Sequence, residues 1–365
     1  MPGITVLMPV YNGERHVRAA IDSILAQTYR DFEFVIVDDG STDATHELVS
    51  SYRDSRIRLV SLARNSGLST ALNEGLRLAS HALIARQDAD DVAEPNRLER
   101  QVAVMVARPE LALLGSQAVA ISEDGAPTGT VRRSVTPAAI RWFSAFDNPF
   151  IHTSVVFRAD IVRALGGFNP AYDPFSQDYD LWCRLMESHA CANLPERLVR
   201  YRVSDSSIIG ALDGNGDRTE YQRRFDGIVR ELTARQVRRI FGEAAIGTAD
   251  EPLVSGIALG LSRDSVKAFL SMFERLLVRY RAQCQDCSSQ DFLRTLARQF
   301  EALASRVRPA TREAAFTIYR HALRHHPGLA TTISWPRTLA ALVLGSAGRD
   351  RLARWKRRHP LLAKG

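Results

Sequence analysis

Residues Ile4 to Pro9 form a nearly unbroken apolar run, and Val17, Ile21, Ile24 and Leu25 follow at helical spacing. The alternation repeats. Phe32 to Val37 reads as a buried strand, and Thr42 reads as the cap of a helix running through Tyr52. Ile57 to Leu62 is a third strand, and Leu68, Leu72, Leu76 and Ala79 mark a third helix. Leu83 to Ala85 begins a fourth strand, and Pro95 opens a helix through Val106. This β-α-β-α order predicts an α/β fold with a Rossmann-like, mostly parallel sheet and helices on both faces. Beyond Leu113 short strands are expected at Leu113 to Gly115, Ala118 to Ile121, Ser154 to Phe157 and Leu198 to Tyr201. From Arg218 onward the pattern is only helical, broken at Gly247, Gly256, Pro309, Pro327 and Pro336. The expected division is an α/β domain over 1–205, a Gly/Ser/Asp-rich linker over 206–217 and an all-α region over 218–365.

Composition narrows the class. Of 365 residues, 45% are apolar and 24% charged, which excludes collagen, low complexity and wholesale disorder. No apolar run approaches the ~18 residues of a membrane span, and the N-terminus runs into a strand without a signal-peptide pattern, so a cytoplasmic location is expected. Cys284 and Cys287 form a lone C-x-x-C without further zinc ligands at suitable spacing, and the four cysteines read as reduced thiols. The net charge of +7 is unevenly spread. Residues 1–205 carry 21 Arg and 26 acids, a balance of −5, and residues 206–365 carry 27 basic and 15 acidic groups, a balance of +12.

Three acidic clusters stand out. Asp88, Asp90 and Asp91 fall at the end of the fourth strand, where such folds bind ligands. Carboxylates this close repel one another unless a cation joins them, and Mg²⁺ or Mn²⁺ with phosphate oxygens is the usual resolution. Asp38 and Asp39 end the second strand, where an acid can hydrogen-bond a ribose or a base edge, or form an Asx-turn. Asp178 lies in Gln177-Asp178-Tyr179-Asp180-Leu181-Trp182 and is a candidate general base, or a helix N-terminal acid. The first turn, Pro9-Val10-Tyr11-Asn12-Gly13-Glu14, has no G-x-G-x-x-G and no P-loop, which disfavours NAD enzymes and P-loop NTPases.

In their order, VLMPVYNGE (6–14), VIVDDGSTD (35–43), RNSG (64–67), IARQDADD (84–91), GGFN (166–169) and QDYDLW (177–182) resemble family 2 glycosyltransferases over residues 1–205. The resemblance implies a GT-A fold and an inverting transferase that uses a nucleotide-diphosphate sugar and Mn²⁺ or Mg²⁺. It implies nucleobase stacking by Tyr11 beside Pro9 and Val10, and a ring-nitrogen hydrogen bond from Asp39, which suits uracil or thymine. Glu14 and Asp88 fall to the ribose side, Arg64 to the base or phosphate side. Asp90 becomes the metal ligand with Asp91 in support, and Asp178 the catalytic base. His152, Gly167, Trp182 and Arg202 are candidates for the acceptor cleft or the closing loop. Two departures stand out: Gln177 replaces a Glu usual before the base, and Tyr201-Arg202-Val203 lacks the His usual after Tyr-Arg.

The implied chemistry is transfer to an acceptor hydroxyl, as in surface polysaccharide or glycolipid synthesis. The alternative is a non-catalytic nucleotide-sugar-binding or scaffolding subunit that interacts through its helical half. Residues 349–365 carry a net +6, and Trp335, Leu339, Leu342, Leu344, Leu352 and Trp355 interleave with or precede them. A basic stretch with such anchors suits an anionic membrane surface over 335–365, peripheral at the inner face, and a lipid-linked acceptor. A solvated helical bundle is the plainer reading. No motif supports nucleic-acid binding.

Overall fold

The computed structural model describes residues 2–203, 218–284, 286–306 and 312–327. The 206–217 linker and the 335–365 segment lie outside the described residues. The chain forms two compact units, one of residues up to Ser144 with Asn148–Ile228, the other of Ala145–Asp147 with Val229 onward.

In the first unit, β1 (Ile4–Val10), β2 (Phe32–Asp38), β3 (Ile57–Ser61) and β4 (Leu83–Arg86) pair in parallel in the order β3-β2-β1-β4. β1 is buried along its whole length because it is covered on both faces. Ile4, Val6, Met8 and Val10 join one apolar cluster with α1 (Val17–Leu25) and α4 (Arg97–Ala107). Leu7 joins the other with α3 (Leu68–Leu78) and α7 (Gln177–Leu185). The pleat's alternation thus sorts β1's side chains between two helix layers.

The later strands depart from the parallel pattern. β5 (Val92–Ala93), β6 (Leu111–Ile121), β7 (Pro127–Val131), β8 (Val156–Arg158) and β9 (Ala190–Arg202) extend the sheet to nine strands. β8 pairs antiparallel with β4 and β6, β7 pairs antiparallel with β6, and β6 runs parallel to β9. The two short strands expected over Leu113–Ile121 are one strand, carried through Gly115 and Gln117 by irregular register with β9. Ser154 instead ends a 3-10 turn, His152–Ser154. Three short helices complete the unit: α2 (Thr45–Ser50), α5 (Pro137–Phe143) and α6 (Ala159–Ala164). Thr42 is not the cap of α2. Its amide donates to Asn12 Oδ1 at 2.8 Å, while Asp43 Oδ1 accepts from Thr45 N, the first residue of the helix.

Past α8 (Arg218–Phe241), the second unit is helical, with α9 (Val266–Gln283), α10 (Gln290–Arg306) and α11 (Arg312–His325). Phe146, Phe269, Phe273 and Phe300 centre its core. His321 and His326 both bond Glu274 Oε1, at 3.1 and 2.9 Å. None of the four cysteines forms a disulfide. Among the described residues no helix is long and apolar enough to cross a membrane.

Gly75 sets how closely α3 lies on β1, because a Cβ there would overlap the Leu7 side chain. Gly75→Val is expected to destabilise the unit by about 1–3 kcal/mol through overpacking. A urea midpoint unchanged at constant m-value would show that the contact is looser than this.

Candidate active site

Four loops at the carboxyl ends of β1 to β4 meet, as parallel α/β sheets dictate. After β1 the chain turns sharply at Asn12 (φ 48°). Its Oδ1 accepts from Thr42 N, its amide donates to Ser41 Oγ at 3.0 Å, and Gly13 N donates to Thr45 Oγ1 at 2.8 Å. Glu14 Oε2 accepts from Ala44 N at 3.0 Å. Glu14 therefore knits the β1 loop to the start of α2. Pro9 and Val10 are buried beneath this loop, and Tyr11 is 46% exposed above it, a free aromatic face.

Asp38 and Asp39 divide their work. Asp38 Oδ1 accepts from Ser41 N, three residues on, at 3.0 Å, and Oδ2 lies 3.2 Å from His46 Nδ1. Asp39 reaches across to the third loop, where Oδ1 accepts from Ser66 N at 2.8 Å and Oδ2 from Gly67 N at 2.9 Å. Gly67 has φ 94° and precedes α3, so this carboxylate holds the helix entrance. Burial pushes the Asp39 carboxyl up, against the pull of those two amides, and Asp173 and Asp38 add to the rise. Asp173 holds the same helix start, accepting from Ser69 N at 2.9 Å and from the Ser69 hydroxyl. Arg64 is exposed on the third loop.

The β4 end carries the densest charge. Arg86, fully buried, donates from Nη2 to Asp88 Oδ1 at 2.5 Å. A second buried guanidinium, Arg97, donates to Gln101 Oε1, Gln87 Oε1 and the Arg86 carbonyl at 3.0, 2.8 and 2.6 Å. Burial lowers its pKa to about 9, with Arg86 pushing the same way and Asp91 and Asp88 opposing. Asp91 is buried and accepts the Arg202 amide at 2.6 Å. Burial pushes its carboxyl well up, followed by the charges of Asp90 and Asp88. Asp90 reaches solvent, yet cleft walls crowd it. That crowding, then the charge of Asp88, pushes its carboxyl up to about 6.

Arg202 belongs to this cluster as a clamp. Its Nε donates to the Asp90 carbonyl at 2.8 Å, and Nη1 to the carbonyls of Ser122 and Glu123 at 2.8 and 2.7 Å. Its guanidinium is thereby committed to holding the Asp90 loop against the β6–β7 turn.

Asp178 sits buried in the first turn of α7. Its Oδ1 accepts from Tyr179 N and its Oδ2 from Asn148 Nδ2, each at 2.7 Å. One residue connects this carboxylate to the β4 cluster. The His152 imidazole is crowded by protein and feels Arg86, Asp178 and Asp88. Burial first, then Arg86, lower its pKa, so it is neutral at neutral pH. Trp182 is fully buried and packs on Phe168, Phe157 and Phe150 behind the site. Gly167 (φ 71°) lies in a loop that Asn73 grips, donating to the Phe168 carbonyl and accepting its amide, both at 2.8 Å.

Several of these partners carried signals in the sequence. Arg86 is a charge closing an apolar strand run. Asn148 opens an Asn-Pro turn four residues before His152. Asn73, Asp173 and Thr153 sit among ordinary helix and loop residues, and only tertiary contacts reveal them.

Asp88 and Asp90 supply hard oxygen donors whose repulsion Arg86 offsets only in part, a donor set that fits Mg²⁺ or Mn²⁺. Among the described residues no group of three or more His, Cys, Asp or Glu forms a ready protein cage. Such ions commonly take one or two carboxylates and complete their shell with substrate phosphates and water.

The chain belongs to glycosyl transferase family 2, whose sequence profile matches residues 5–162. It is a glycosyltransferase. The amylovoran biosynthesis glycosyltransferase AmsE of Erwinia amylovora is 33% identical over 209 residues, covering 56% of this chain and 77% of its own. The UDP-Glc:alpha-D-GlcNAc-diphosphoundecaprenol beta-1,3-glucosyltransferase WfgD of Escherichia coli is 31% identical over 209 residues, covering 56% and 79%. Among solved structures, S. aureus TarS 1–349 in complex with UDP superposes with a TM-score of 0.50 at 17% identity, covering 88% of this chain and 91% of that one. That likeness supports the GT-A architecture of the sheet followed by helices.

The raised Asp90 carboxyl has a pH signature in EDTA. Between the usual carboxylate value and about 6, the folded state keeps a proton that the unfolded chain has released. This group's contribution to stability is therefore present at low pH and is lost as pH rises through about 6. Asp90→Asn should melt higher than wild type at pH 7.5 and converge with it near pH 4. Equal melting curves at both pH values would show that Asp90 is not strained.

Proposed function

We propose that the protein is an inverting, metal-assisted transferase that moves a sugar from a UDP- or dTDP-sugar to a hydroxyl of a saccharide or lipid-linked acceptor. The single observation that carries the reading is the pairing of sites. A repelling acid cluster at the β4 end and a buried, hydrogen-bonded Asp178 act on the same His152 ring. Both family relatives described above have names that place them in glycan assembly, and the WfgD name includes a diphosphoundecaprenol acceptor.

In this reading Tyr11 stacks on the nucleobase with Pro9 and Val10 as its floor, and Asp39 meets the base edge. Glu14 shapes the ribose side from the β1 loop, with Asp88 on the ribose and Arg64 near the base or phosphate. Asp88 and Asp90 would hold the cation, and Asp91 fixes the loop through the Arg202 amide. A bound divalent ion supplies charge neutralisation for the leaving diphosphate. Asp178 takes the proton from the acceptor hydroxyl, which attacks the anomeric carbon from the face opposite the diphosphate, and the configuration inverts. Asn148 and the Tyr179 amide keep the carboxylate aimed during that transfer.

Asp178→Asn should bind UDP as wild type does and lose transfer by about 10²-fold or more, within the range for general-base removal. Near-wild-type turnover would end the assignment. Asp90→Ala should lose the EDTA-sensitive part of nucleotide-sugar affinity, read by calorimetry with and without Mn²⁺. An unchanged metal dependence would move the cation elsewhere.

A further inference from the structure

His152 opens the single turn His152–Ser154 between the two halves of the site. On one side its neighbour Thr153 accepts the Asp88 amide through Oγ1 at 3.0 Å, which ties the turn to the end of β4. On the other side the imidazole packs against Trp182 at 6.3 Å, edge-on, and Phe168 at 6.0 Å. Trp182 follows Asp178 by four residues on α7, so the two share one helix face. The turn that carries the ring therefore lies between the end of β4 and the helix that bears Asp178.

The protein does not use this ring as a hydrogen-bonding group. Nε2 is enclosed and has no partner among the described residues. Trp182 Nε1 and Gln177 Oε1, on the adjoining helix, are in the same condition. Buried polar atoms in folded proteins are almost always paired, and each exception calls for a ligand, a water or a functional reason. Nε2 itself is closed to solvent while the residue as a whole is partly exposed, so a ligand approaches the ring from its open part. With Nε2 uncommitted, no protein bond fixes the tautomer. A neutral imidazole donates at one nitrogen and accepts at the other, which matches a sugar hydroxyl that does both.

In-line displacement fixes what lies in that gap. The acceptor hydroxyl must sit at Asp178 and the leaving diphosphate at Asp88 and Asp90, so the glycosyl group lies between them. We propose that His152 contacts the sugar being transferred and discriminates among donors by their ring substituents. This rests on the donor reading above, and it moves His152 from the acceptor side to the donor side.

His152→Phe keeps an aromatic ring against Phe168 and Trp182 and removes the polar atoms. With UDP-glucose and UDP-galactose as probes, kcat/KM for the better donor should fall roughly 10- to 100-fold, the loss expected when a buried polar contact is deleted. The ratio between the two epimers should shift as well. UDP affinity, measured by calorimetry, should stay near wild type, and His152→Gln should restore part of the loss. The proposal is overturned if kcat/KM stays within about twofold of wild type, if the epimer ratio does not move, or if UDP affinity falls by the same factor. Should the Phe variant fail to fold, His152→Gln carries the test through the epimer ratio. Wild-type protein that neither binds UDP or dTDP nor turns over their sugars would instead overturn the donor reading itself.

Discussion

Three carboxylates at one strand end can persist in a folded protein only against a counter-charge, and here that charge is buried behind them. Arg86 and Arg97 are both fully enclosed, one bonded to Asp88 and the other held by two glutamines and a carbonyl. Every donor direction of a buried guanidinium must find an acceptor, or its desolvation goes uncompensated. For Arg97 the side chains of Gln87 and Gln101 meet this need, and Gln101 passes it on by donating to the carbonyls of Leu114 and Ser154, whereas Arg86 Nε has no partner among the described residues. The acid cluster, the start of α4, β6 and the turn that bears His152 are thus one polar network. The two internal cations offset part of the cluster's charge, and burial first, then the remaining repulsion, raises the carboxyls of Asp90 and Asp91.

A second network joins the loops after β2 and β3 to the loop before α7. Asp39 holds Ser66 and Gly67, while Asp173 holds Ser69 from the other direction. Both carboxylates sit at the N-terminus of α3, where the helix dipole and free amides favour negative charge. The residue assigned to the nucleobase and the segment leading to Asp178 therefore share one helix end. The β2 loop and the loop leading to α7 are thus fixed by neighbouring amides of one helix start, Ser66 and Gly67 for Asp39 and Ser69 for Asp173.

The sequence made β1, β2 and β4 legible because those strands are buried along nearly their whole length and their apolar runs are close to continuous, while the half-buried β3 showed through Ile57, Leu59 and Val60. Beyond Leu111 the signal weakened for a physical reason. β6 and β9 pass through Gly115, Gln117 and Asn193, which serve neighbouring loops by hydrogen bonding and break the apolar pattern. The acids of the site were legible as clusters, but their roles were not. Glu14, Asp39 and Arg202 each spend hydrogen bonds on backbone groups far away in sequence, and nothing local foretells those partners. Thr42 was misplaced as a helix cap because three hydroxyl or acidic residues compete there, and the winner, Asp43, is decided by contacts with Glu14 and Thr45.

The uneven charge of the chain gains a meaning from this arrangement. The first 205 residues are net acidic at −5, and burial does not deepen that balance, because Asp38, Asp39, Asp91, Asp178 and Asp180 are buried along with Arg86, Arg97 and Arg202. Such a balance repels a nucleotide diphosphate at long range. On the function proposed above, attraction of the donor must then come at short range, from a cation that Asp88 and Asp90 would hold, from backbone amides and from an exposed ring such as Tyr11. The positive charges of residues 206–365 lie outside the described acid site. They are not needed to explain donor binding, and they remain available for an acidic acceptor or surface. Donor capture in this protein is accordingly expected to depend on the divalent ion more than on the +7 net charge of the chain.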